Sequence, residues 1–260
     1  MCKAFSCIIG KDMNLYWKLG IDSHSKLIDM SPYSDNMDCK KFVRIEITPD
    51  NNDYLFPNKW TLKIDSEKRP RWFSPAHETE CMKAQNQWQS QLDKILVHKK
   101  IVHPFNDIVP PKCFTKKIKR LLYDWDSVGD SVWDSVGDSV GNSVWGLVGN
   151  SVRDSVGNSI RDSVWDSVGN SVWGSVRDSV GGSVWDSVRD SVGGYTGSFF
   201  KIQKWKYIQH KKGAYPYQSV VKLWMLGLVP SFDGEIWRLH GGHNAKILFE
   251  ISKKDLKKYK

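Results

Sequence analysis

From Val128 to Val192 an aliphatic residue returns at every fourth position, seventeen times, inside a unit that reads Asp/Asn/Gly-Ser-Val-Gly/Trp/Arg. A period of four fits neither regular structure directly. In an α-helix each four-residue step turns about 400°, so the stripe drifts roughly 40° per unit and one long helix cannot keep it on a single partner. Asp, Ser, Val and Gly are also weak helix formers, each costing roughly 0.5–1 kcal/mol against Ala. In a strand Val and Asp share one face, and Ser and the variable residue the other, but no strand runs the whole length of 125–194, so the chain must turn often. Eight of the seventeen variable positions are Gly, which takes positive φ freely. The leading expectation for 125–194 is therefore a β-solenoid-like coil. Its alternatives are a long helix or helical hairpin, favoured by the helix-like, basic lead-in 116–125, and a flexible chain.

The flanks read differently. An apolar run at 4–9, the turn residues Gly10 to Asn14 and a second run at 15–19 predict a hairpin. Asp22-Ser23 predicts the cap of a short helix containing Leu27 and Ile28. Residues 42–47 and 60–64 alternate as half-wet strands, and together these strands predict one antiparallel sheet. Ser74-Pro75 opens a helix to about His98 whose Cys81, Ala84, Trp88, Leu92 and Ile95 lie at helical spacing over that sheet. Pro104, Pro110 and Pro111 mark a linker. After the array, Tyr217, Val220, Val221 and Trp224 predict a short helix that Gly227 ends. Asp233-Gly234 and Gly241 to Asn244 then predict the turns of a β-meander, with Trp224 and Trp237 as core anchors. The expected architecture is α+β: an N-terminal unit at 1–103, a linker and basic lead-in at 104–124, the array at 125–194, and a helix plus β-meander with a basic tail at 195–260.

Three further features bear on the array and its surroundings. Trp125, Trp133 and Trp145 recur forty residues on as Trp165, Trp173 and Trp185, as an expanding DNA minisatellite would leave them. The array carries ten Asp against four Arg, a net −6, while the whole chain is +9, so the flanks hold +15. That asymmetry points to an acidic ligand for the flanks, or to an electrostatic match between flanks and array. Five scattered cysteines without a Cys-x-x-Cys pair argue against a disulfide framework and for a reducing compartment. With no signal-like apolar region and no apolar run of about 18 residues, no membrane span is expected.

Candidate chemistry is sparse. His240 and His243 flank Gly241-Gly242, but two ligands are too few for a zinc site, and a turn explains them. His77-Glu78 lacks the second His of a zinc-protease helix. Asp22-Ser23-His24 reads as helix capping rather than as a triad, since triads are assembled across a fold. There is no phosphate-binding glycine loop. No catalytic residue, metal ligand or cofactor is expected. The best binding stretch is 199–212, where Phe199, Phe200, Trp205 and Tyr207 interleave with Lys201, Lys204, Lys206, Lys211 and Lys212. Aromatics stack on bases while lysines neutralise phosphates. A half-buried strand with wet lysines would carry the same residues.

The opening Ala-Phe-Ser-Cys-Ile-Ile-Gly and Tyr-Trp-Lys-Leu-Gly-Ile-Asp-Ser-His, the Ser-Val-Trp/Gly/Arg array, and the closing Leu-Trp-Met-Leu-Gly-Leu-Val-Pro-Ser-Phe-Asp-Gly-Glu-Ile-Trp-Arg-Leu-His-Gly-Gly resemble uncharacterised proteins of tailed phages and prophages. The resemblance implies no activity. It implies a phage-encoded accessory protein acting in the cytoplasm of a bacterial host cell. The expected function is non-enzymatic binding of a host or phage protein, with the array as spacer or solenoid. The alternative is nucleic-acid binding by the basic aromatic flanks. The oligomeric state is left open.

Overall fold

A computed structural model describes residues 5–50, 59–128, 132–140, 157, 160, 162–164 and 176–260. Among them the chain divides into two compact units, the first ending at His98 and the second beginning at Lys99.

The first unit is a four-stranded antiparallel sheet of order β2-β1-β3-β4, made of β1 (Phe5–Gly10), β2 (Leu15–Tyr16), β3 (Phe42–Pro49) and β4 (Trp60–Ile64). Period-2 alternation assigns its faces. Phe5, Cys7 and Ile9 stand opposite Ile47, Ile45 and Val43. That face is covered by α2 (Pro75–Ile95), whose Trp88 ring lies 5.7 Å from Phe5. On the other face Ile8 and Phe42 pack with Leu27 and Ile28 of α1 (His24–Asp29). The expected sheet and both expected helices are present. His77, set aside as a protease remnant, has a structural role: its Nδ1 accepts the Ser74 backbone N–H at 3.2 Å and closes the α2 cap.

The second unit joins α3 (Lys116–Asp126), α4 (Val132–Val140), α5 (Val176–Gly197) and α6 (Gln218–Trp224) to a three-stranded meander, β5 (Val229–Phe232), β6 (Ile236–Gly241) and β7 (Lys246–Ser252). A short α7 (Lys253–Leu256) and a 3-10 turn, Lys257–Tyr259, follow. The Asp233-Gly234 hairpin forms because the Asp233 carboxylate accepts the N–H groups of Glu235 and Ile236 while Gly234 takes φ +105. Trp237 stacks on Phe232 at 4.8 Å and its indole N–H donates to Asp126.

No solenoid forms among the described residues of the array; α4 and α5 are helical. Drift of the stripe explains how a four-residue period is tolerated. The buried valines of α4 are Val132 and Val136, and those described in α5 are Val184, Val188 and Val192. Across the three in α5 the stripe turns only about 80°, within the roughly 100° apolar face of an ordinary surface helix. Over the described side chains the stripe thus stays on one partner, although α5 itself runs for 22 residues. α5 also continues past the period break at Gly194 into Tyr195, which stacks on Trp224 at 4.2 Å, while Trp224 donates its indole N–H to Ser191. The end of the array is therefore core of the second unit. Ile160 and Val164 are also buried, while Trp133, Trp145, Trp165 and Trp173 lie outside what can be described of side chains. Among the described residues no helix is long and apolar enough to cross a membrane.

Candidate functional site

The 199–212 segment is not a strand, and the structure sorts its two residue types apart. Phe199, Phe200 and Trp205 are 0, 5 and 2 % exposed, whereas Lys201, Lys204, Lys206, Lys211 and Lys212 are exposed. Phe199 meets Tyr195 edge to face at 5.4 Å, and Trp205 meets Tyr215 at 5.1 Å. These rings are core, not platforms for a base. Lys99 sits over Phe199 at 4.5 Å, donates to Ser198 Oγ at 2.6 Å, and has its pKa pushed down to about 8 by burial. Only Tyr207, 66 % exposed and held at φ +61, presents an aromatic face. Its hydroxyl donates to Asp138 of α4, and that hydrogen bond, with the carboxylate's charge, raises the phenol pKa. The loop is further tied to α4 by the Lys206 N–H, which donates to Ser139. A cavity of about 540 Å3 opens beside it, lined by Gln203, Lys204, Trp205, Ile208, Gln209, His210 and Lys212.

A second basic surface is built by packing. The buried face of α3, Ile118, Leu121, Leu122 and Trp125, fixes the helix on the core, with Thr115 accepting the Ile118 N–H as its cap. Its outer face then meets the C-terminal turns: Lys119 Nζ donates to the Tyr259 hydroxyl at 3.2 Å and lies over the Phe249 and Tyr259 rings. Phe114 stacks on Phe249 at 5.1 Å. The lysine-rich lead-in and the lysine-rich tail, far apart in sequence, come side by side. Some of their cations are neutralised, Arg120 by Asp124, Lys253 by Asp126 and Lys258 by Asp255. Lys116, Lys117, Lys254 and Lys257 are exposed and form no ion pair among the described residues.

Lys116 and Lys117 occupy the first turn of α3, where the helix dipole disfavours cations by about 0.3–1 kcal/mol each. The first-turn N–H groups point the same way and lack helical partners. Thr115 already holds the Ile118 N–H, so it is these lysines with the N–H groups of Lys116 and Lys117 that suit a phosphate oxygen. Sequence reading named these lysines only as lead-in and tail, because nothing local signals that they meet.

The histidine pair separates. His240 is fully buried, bonded to Ser231 and to the Ala245 carbonyl, and burial lowers its pKa to about 4. His243 is exposed and faces Asn106 at 3.2 Å. A turn with Gly242 at φ +72 separates them. Comparison with family models, with curated proteins and with solved structures finds no match.

Proposed function

We propose that this chain is a non-enzymatic binding protein, an accessory protein of the kind phages encode, whose ligand is the phosphate backbone of a nucleic acid. The observation that carries this reading is the meeting of α3 with the C-terminal turns, which gathers unpaired lysines from two ends of the second unit. Contact is with phosphates and is independent of base sequence, because three of the four aromatics expected to stack are in the core. Lysines that pair phosphates release counterions, so affinity arises without base readout.

The test is fluorescence anisotropy of the full chain with labelled duplex and single-stranded DNA. Replacing Lys116, Lys117, Lys254 and Lys257 by Gln is expected to weaken binding at least about tenfold, equally for unrelated sequences. Replacing Lys204, Lys206, Lys211 and Lys212 instead tests the loop. Binding unaltered by both variants refutes the reading.

A protein partner is the second reading. The burial of Phe199, Phe200 and Trp205 favours it, since the platform on which single-strand binders rely is missing. An acidic partner captured by the same lysines, and not displaced by excess DNA, would support it over nucleic acid.

A further inference from the structure

We propose that the first unit holds a divalent transition-metal ion of the class that takes mixed nitrogen and carboxylate ligands, such as Mn2+ or Zn2+, between His24, Glu46 and Asp65. These three come from different elements: His24 opens α1, Glu46 lies on β3, and Asp65 directly follows β4. One ligand atom of each lies within 4.8 Å of the others.

The contacts of His24 place its ring as a metal ligand would be placed. His24 is 7 % exposed, and its Nε2 lies 3.1 Å from the Ile45 carbonyl, which only accepts, so Nε2 carries the hydrogen. Its other nitrogen, Nδ1, faces the Asp65 carboxylate at 3.0 Å. A proton on Nδ1 satisfies this contact in the free chain, and a metal ion that displaces that proton keeps the same two atoms as ligands. Two donors each about 2.1 Å from one ion and at right angles lie about 3.0 Å apart, so this spacing suits two neighbouring ligands of an octahedral ion. The Nε2–H bond to a backbone carbonyl is also how metal-binding imidazoles are commonly oriented.

The surroundings agree. Glu46 forms no ion pair among the described residues. Directly opposite it on β1, Ser6 is 2 % exposed and its hydroxyl has no partner. Two cations stand near. Arg44 is engaged by Asp35 at 2.6 Å and Asp38 at 3.6 Å, and Lys63 pairs across the ladder with Glu46 but is exposed. Ser23, expected to cap α1 with its side chain, makes no such bond and lines a cleft of about 520 Å3 with Asp22, His24, Asp35, Arg44 and Asp65. His24 and Asp65 both line that cleft, so positions the three ligands leave free would face it.

The experiment is a Mn2+ titration of the chelator-stripped full chain, read by electron paramagnetic resonance of the free ion; Mn2+ is chosen because it has little affinity for the free cysteines. One saturable site is expected, with Asp65→Asn and Glu46→Gln each weakening it at least about tenfold. His24 is buried, so His24→Ala risks unfolding; Asp65, whose side chain is 51 % exposed, is the variant that decides, with circular dichroism confirming its fold. No saturable binding at millimolar Mn2+, or binding untouched by both carboxylate variants, overturns the proposal and leaves an ordinary imidazolium–carboxylate pair.

Discussion

If the array's valines are core, then Val188→Ala should destabilise the second unit by an amount that can be worked out beforehand. Val188 is 1 % exposed. Losing two methylene equivalents at about 0.8 kcal/mol each costs about 1.6 kcal/mol, and the cavity left behind raises this to about 2–3 kcal/mol. Alanine's better helix propensity returns about 0.5 kcal/mol, leaving a net loss of about 1.5–2.5 kcal/mol. Two positions earlier, Asp186 belongs to the same kind of unit, but its side chain is 62 % exposed and only loosely paired with Arg189 at 3.5 Å. Asp186→Ala should therefore fall within about 0.5 kcal/mol of the parent. Urea unfolding of the full chain, followed by far-ultraviolet circular dichroism, separates the two. Equal midpoints for both variants would refute the packing of the array helix, since that packing predicts a large loss at Val188 and a small one at Asp186.

Two further outcomes follow from the same unit. Gly194→Ala should cost about 1–3 kcal/mol although it sits in a helix, because the added carbon would lie 2.8 Å from Val220 Cγ1 and 3.3 Å from the Trp125 ring; a thermal melt reads this directly. His240 gives a pH dependence whose sign is fixed. Its folded pKa, about 4, lies below the unfolded value near 6.5, so the stability from the buried neutral ring is full above about pH 6.5 and is lost as pH falls toward 4. The loss amounts to about 3 kcal/mol, and the melting temperature of His240→Gln should fall less across that window than that of the parent.

Much of the fold was legible because it is written locally. Alternation at 42–47, the Ser74-Pro75 cap and Asp233-Gly234 each carry their own signal, and β3, α2 and the β5–β6 hairpin follow from them. The array was harder, since its four-residue period keeps the stripe on one partner only over a few units; where the helices begin and end depends on the partners packed against them. In 199–212 the alternation of ring and lysine suggested a surface, yet Phe199 and Trp205 point inward at a spacing no regular element dictates. The meeting of α3 with Tyr259, and of His24 with Glu46 and Asp65, joins residues from separate elements, and no short-range pattern announces either.

The reading of the basic face as a phosphate-binding surface is tested most directly by the salt dependence of DNA affinity for the full chain. Plotted as log K against log salt concentration, duplex binding should fall linearly with a slope near −4 if about four phosphates are neutralised. The slope should flatten by about one for each of Lys116, Lys117, Lys254 and Lys257 replaced by Gln. An affinity that does not change with salt, or no binding even at low salt, would contradict the account.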